Sequence, residues 1–242
     1  MQSILLALLL VKWDCSTPLL PDFTPKVSDP DVGEGVAYLY AGDRNLHADY
    51  GADALVTTPL DGKRGWYGSS VRLGPLDEDN GLVQIMISRW QRFDYRPHVA
   101  IAWGLPHTTT PHYKDTGIML DESPHRLGIF VKDGRVRLVV DGRVICSTGA
   151  SAFVSAKAAK YFQIRTETSV IGRNTRVVVS DIRLKRDNDA KPRPFATDCA
   201  LHRHGIFFES IGGNAFAARG AFYPDEATFF TGTDPAKPAR CR

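Results

Sequence analysis

Between Leu127 and Cys146 the chain reads LGIFVKDGRVRLVVDGRVIC, three apolar runs separated by Asp133-Gly134 and Asp141-Gly142. A type I′ turn needs positive φ at both central residues, and Asp-Gly tolerates that at little steric cost. Two such turns between alternating apolar residues predict a three-strand antiparallel meander. Within it Val136, Leu138 and Val140 take one face and Arg135, Arg137 and Val139 the other, because successive strand side chains point oppositely.

The rest of the chain repeats this grammar. Strand-like runs fall at 36–40, 54–58, 70–73, 82–90, 99–103, 161–168 and 176–184, mostly separated by Gly, Pro, Asp or Ser. Only 152–159 has helical character, one or two turns of it. Many short strands with such punctuation predict an all-β, antiparallel architecture, a sandwich, jelly roll or barrel. With 242 residues, 43% hydrophobic and 24% charged, the chain suffices for one large core. Residues 1–15 read as a signal or anchor segment and 16–35, rich in Pro, Asp, Ser and Gly, as an extended lead-in. The sandwich is expected over 36–185, and 186–242 as a C-terminal extension packed on it.

Charge narrows the partners. The formal net charge is +3 and the Lys and Arg residues are scattered, which disfavours nucleic acid. The apolar run Ile4–Val11 spans eight residues, too short for a membrane span and suited to a signal-peptide h-region. No Lys or Arg precedes it and no small-x-small site follows, so a buried strand or helix is the competing reading. The four cysteines, Cys15, Cys146, Cys199 and Cys241, allow three pairings and contain no CxxC motif. Cys199 with Cys241 is the preferred disulfide because it would tie down the tail; unpaired buried thiols are the other reading. A secreted or extracytoplasmic location is the expectation.

Alternation also assigns candidate ligand groups. Val83, Ile85 and Ile87 share one face, as do Val99, Ile101 and Trp103, and Phe162 with Ile164; these belong in the core. If all these strands share one sheet, its outer face carries Gln84, Trp90, His98, Arg137, Gln163, Arg165 and Glu167. Sugars stack their C–H faces on aromatic rings, so Trp66, Tyr67, Trp90 and Tyr95 join Arg137 and Gln163 as ligand-binding candidates. His98, His107 and His112 lie within fifteen residues, but a Pro/Thr loop between the last two fixes no zinc geometry, and the metal assignment is unknown.

His125-Arg126-Leu127-Gly128-Ile129, Val131-Lys132-Asp133-Gly134, Leu138-Val139-Val140-Asp141-Gly142 and Val179-Ser180-Asp181-Ile182-Arg183-Leu184 together resemble laminin-G-like domains of the concanavalin A-like lectin/glucanase superfamily. That resemblance covers 36–185 and implies an antiparallel jelly-roll β-sandwich, an extracellular carbohydrate-binding role and calcium as a candidate ion. Asp77, Glu78, Asp79 and Asn80 suit calcium chemically. A narrower resemblance, to polysaccharide lyases of the same fold, rests on Gln84, on Pro97-His98-Val99-Ala100-Ile101 and on Tyr161-Phe162-Gln163-Ile164-Arg165. Met86 stands where that pattern has histidine, and Gln163 where lysine is usual. It implies β-elimination on a uronate glycan. Gln84 and Arg165 would steady enolate charge, and His98 with Tyr113 or Tyr161 would move protons. A protein-interaction module of laminin-G type is the third reading. No Glu-x-Asp-x-Glu strand is present; Asp77-Glu78-Asp79 and Asp121-Glu122 read as solvated loop acids.

Overall fold

The computed structural model describes residues 11–20, 33–43, 48–57, 67–73, 82–89, 93–94, 96–104, 112–150, 159–168, 175–186, 189–194, 200–203, 206–210 and 216–220, some strands by backbone alone. Among the described residues sixteen strands run in chain order: β1 Asp14–Cys15, β2 Gly33–Asp43, β3 Tyr50–Thr57, β4 Tyr67–Leu73, β5 Leu82–Arg89, β6 His98–Gly104, β7 His112–Met119, β8 His125–Lys132, β9 Arg135–Val140, β10 Arg143–Gly149, β11 Ala159–Thr168, β12 Thr175–Lys185, β13 Arg193–Pro194, β14 Ala200–Arg203, β15 Ile206–Ser210 and β16 Phe216–Gly220. They form a nine-stranded sheet, β1-β10-β9-β8-β3-β12-β16-β15 with β13 on β12, and a seven-stranded sheet, β14-β2-β11-β4-β5-β6-β7. Every pairing is antiparallel. The architecture is an antiparallel jelly-roll β-sandwich.

The meander is β8-β9-β10, and its turns have the required backbone: φ is 52° and 70° at Asp133 and Gly134, and 48° and 79° at Asp141 and Gly142. Asp141 does more than turn the chain. Its Oδ1 accepts from the Arg126 N–H at 2.8 Å, and its Oδ2 lies 2.8 Å from His125 Nδ1. Burial alone would lower the His125 pKa. The Asp141 hydrogen bond and charge, with Asp121 on the other side, outweigh it and hold the ring above its ordinary value.

Two expectations change. Arg137 does not share a sheet with Gln84, His98, Gln163 and Arg165. It lies on β9 of the nine-stranded sheet, 3.4 Å from Asp133, while the others lie in the seven-stranded sheet. The sheets also reach past 36–185: β1 pairs with β10 near one terminus, and β14 and β16 pair with β2 and β12 near the other. Cys15 is bonded to Cys146 across 131 residues. Cys199 and Cys241 lie outside the described residues, as do Ile4 to Leu10 and the helical candidate 152–158.

Inward residues of both sheets make one core, including Tyr50, Ile85, Ile87, Ile101, Leu127, Ile129, Leu138, Phe162 and Ile164, all almost fully buried. Trp103 joins it as expected. The exception in chemistry is Tyr50. Its ring packs edge-on against Phe162 with centroids 6.1 Å apart, and among the described residues its buried hydroxyl has no hydrogen-bond partner. Burial pushes its pKa far up. An unsatisfied buried hydroxyl costs about 1–3 kcal/mol. Tyr50→Phe removes that oxygen and leaves the packing, so we expect a gain of about 1 kcal/mol, measured as a higher urea midpoint at unchanged m-value.

Candidate functional site

The outer face of the seven-stranded sheet is not the solvated surface that polar alternation suggests. Ser70, Gln84, Ser88, His98 and Asp115 are all buried, with Gln84 at 7% exposure the most accessible. Register arranges the face into rows. The first row is Gln163, Arg72, Gln84, Ala102 and Tyr113 on β11, β4, β5, β6 and β7. In the same strand order the second is Arg165, Ser70, Met86, Ala100 and Asp115. The third, from β11 to β6, is Glu167, Gly68, Ser88 and His98. Strands stand about 4.8 Å apart, so each row is a transverse line of groups at that step.

Along this face two chemistries adjoin. Met86, Ala100 and Ala102 form a second apolar cluster, separate from the core, with Tyr113 packed against it. Beside it lie the polar Arg72, Ser70 and Gln84. Arg72 and Tyr113 are half-buried. At the far end His98 is fully enclosed: its ring centroid is 4.2 Å from that of Phe93, Nδ1 is 3.2 Å from the Arg96 carbonyl oxygen, and Nε2 is 3.2 Å from Asp115 Oδ1. Thr116 Oγ1 donates to the Val99 carbonyl at 2.8 Å, fastening β7 to β6 near the irregularity between His98 and Ala100.

Of the residues proposed for elimination, Gln84, His98 and Tyr113 are described with their side chains. Gln84 and Tyr113 share the first row, but His98 stands four residues along β6 from Ala102, about 13 Å at strand rise. Arg165 and Gln163 hold the register positions given, and Tyr161 lies opposite Tyr40 on β2. Tyr67 opens β4 opposite Arg89. Trp66, Trp90 and Tyr95, and the loop 77–80 whose residues suit calcium chemically, lie outside the described residues. Among the described residues no group of three or more His, Cys, Asp or Glu is placed to hold a metal ion.

Other residues changed role. His112 sits in a strand, its ring stacked on Trp103 with centroids 5.4 Å apart. Glu122 is the exposed loop acid expected of it, and it also pairs with the fully buried Arg89. Asp115 was not a candidate. Its strand begins His-Tyr-Lys-Asp-Thr-Gly, where the Tyr113 and Asp115 alternation was the sole signal.

No family model matches the chain, and no curated protein matches it. Solved structures are similar in outline. Scytalido-glutamic peptidase with a peptide-based transition state analogue is 10% identical, with 78% of this chain and 98% of that chain covered and a TM-score of 0.47. The κ-carrageenase of Pseudoalteromonas carrageenovora is 12% identical over 54% and 53% of the two chains, with a TM-score of 0.36. Sheep galectin-11 is 10% identical over 62% and 96%, with a TM-score of 0.38.

Proposed function

We propose that the protein is an extracytoplasmic glycan-binding protein that takes an acidic polysaccharide on the outer face of its seven-stranded sheet. The observation that carries this is the half-buried pair Arg72 and Tyr113 on the first row, flanking the Met86, Ala100 and Ala102 cluster. A pyranose ring has an apolar C–H face and a rim of hydroxyls, and it needs both surfaces side by side. Arg72 supplies positive charge for a carboxylate or sulfate. The disulfide supports an oxidising compartment. Recognition is favoured over cleavage because the buried His98 is separated from Gln84 and packed against Phe93.

Affinity electrophoresis of the full chain through gels containing alginate, polygalacturonate or a neutral glucan tests this. We expect retardation by the acidic polymers, and Kd raised about tenfold by Arg72→Ala or by Tyr113→Ala, the loss of one good polar or stacking contact. Near-UV absorbance should stay flat, with no new C4–C5 double bond. No retardation by either acidic polymer would refute the proposal, and a sustained absorbance rise would make the protein a lyase.

A further inference from the structure

Residues 11–20 form an extended strap with a two-residue period. Val11, Trp13, Cys15, Thr17 and Leu19 are half-buried, while Lys12, Asp14, Ser16 and Pro18 are exposed. The strap touches both sheets at their edges. On β10, Asp14 and Cys15 pair with Ser147 and Cys146, the Ser16 N–H donates to the Ile145 carbonyl at 2.8 Å, and Thr148 Oγ1 donates to the Lys12 carbonyl at 2.9 Å. On β7, Thr17 Oγ1 donates to the Thr116 carbonyl at 2.7 Å and the Leu20 N–H to the Asp115 carbonyl at 2.9 Å. Trp13 lies against Trp103 with ring centroids 5.7 Å apart.

We propose that Cys15–Cys146 is a reducible latch on this strap, which closes one side of the sandwich and holds β7 in place. Ten residues with few hydrogen bonds cannot offset their own ordering entropy without help. The latch supplies it by holding the strap against β10, so that the weaker contacts with β7 form at high effective concentration. Cys15 is the more accessible partner, since Cys146 is 1% exposed. A dithiol in thiolate form attacks the Cys15 Sγ and Cys146 leaves as thiolate. The second thiol of the reductant then displaces Cys15, giving two cysteine thiols and one oxidised, cyclic dithiol. With the strap free, the outer edge of β7 loses its cover and the strand that carries Tyr113 and Asp115 opens locally.

Hydrogen exchange read by mass spectrometry on the full chain tests this in three forms: oxidised, reduced with dithiothreitol, and the Cys15→Ser/Cys146→Ser double variant, which leaves Cys199 and Cys241 untouched. Thiol alkylation confirms that Cys15 and Cys146 are reduced. Peptides covering 11–20 and 112–119 should exchange at least about tenfold faster in the latter two forms, and peptides covering 127–140 within about twofold of the oxidised protein. Unchanged exchange over 112–119 in the reduced protein would overturn the latch. Equal acceleration over every strand, or a double variant that does not fold, would also overturn it and make the disulfide a global staple. An effect of dithiothreitol that the double variant does not reproduce would overturn it too. No glycan enters the measurement, so it stands or falls separately from glycan binding.

Discussion

Asp53→Ala should destabilise the sandwich by about 3 kcal/mol. Asp53 lies on the outer face of β3, in the middle of the nine-stranded sheet, with its side chain 5% exposed. A buried carboxylate survives only if its lone pairs are satisfied. Here Arg126 Nη1 donates to Oδ1 at 2.6 Å, Arg183 Nε to Oδ1 at 2.7 Å and Arg183 Nη2 to Oδ2 at 2.8 Å. The Asp53 hydrogen bond is the chief reason the Arg183 guanidinium holds its proton above the ordinary range. The same Arg126 also donates to the Asp181 carbonyl at 3.0 Å and pairs with the Asp181 carboxylate. Asp181 has φ of 42° at the irregularity in β12 between Ser180 and Arg183, so the network also fixes that bend.

Removing the carboxylate deletes three charge-assisted bonds and leaves two guanidiniums side by side. Breaking a fully buried pair costs about 3–5 kcal/mol. The lower end applies because the Arg126 and Arg183 side chains are 20% and 32% exposed and partly screened. Arg126 also keeps Asp181. Asp53→Asn retains shape and one acceptor and should fall between. Urea titration of the three proteins measures this, with the midpoint moving and the slope constant. An Asp53→Ala protein within about 0.5 kcal/mol of the parent would mean that water already screens the pairs.

None of that network was visible along the chain, whereas the turns beside it were. Asp133-Gly134 and Asp141-Gly142 dictate backbone geometry locally, so the meander follows from twenty residues. β5 and β6 follow from the alternation of Val83, Ile85 and Ile87 and of Val99, Ile101 and Trp103. Sheet membership does not follow, because it depends on distant pairs such as Ala52 with Ile129 in one sheet and Ile164 with Val71 in the other. That separation moved Arg137 away from the candidate site. Alternation also gives which residues oppose the core, but not whether that second face is covered. Gln84, Ser88 and His98 were legible as outward-facing and illegible as buried. β7 was hidden because its apolar residues start only at Ile118, and the site acquires Asp115 through it.

Gly51→Ala should cost about 2–3 kcal/mol, against the usual rule that replacing a strand glycine helps by limiting the unfolded chain. Gly51 is opposite Phe130 across the β3–β8 ladder. A Cβ there would overlap Phe130 Cδ1 and lie 2.8 Å from its Cγ and 2.7 Å from the Ile129 carbonyl oxygen. The same ring crowds Gly128, whose added Cβ would lie 2.8 Å from Phe130 Cε2 and 2.9 Å from Asp53 Cβ. The two glycines are thus the floor on which the ring rests, an aromatic laid across bare strand backbone. Overpacking of this kind typically costs about 1–3 kcal/mol, and the backbone oxygen cannot swing aside as a side chain would. Phe130→Ala alone should cost about 1–2 kcal/mol, since the ring is half-buried. In the Gly51→Ala/Phe130→Ala protein the ring clash disappears while the carbonyl contact stays. The double variant should therefore be about 1 kcal/mol more stable than the sum of the single losses predicts, read from urea midpoints as a double-mutant cycle. Strict additivity would place the whole penalty on the Ile129 carbonyl and would show that the ring already moves freely over the glycines.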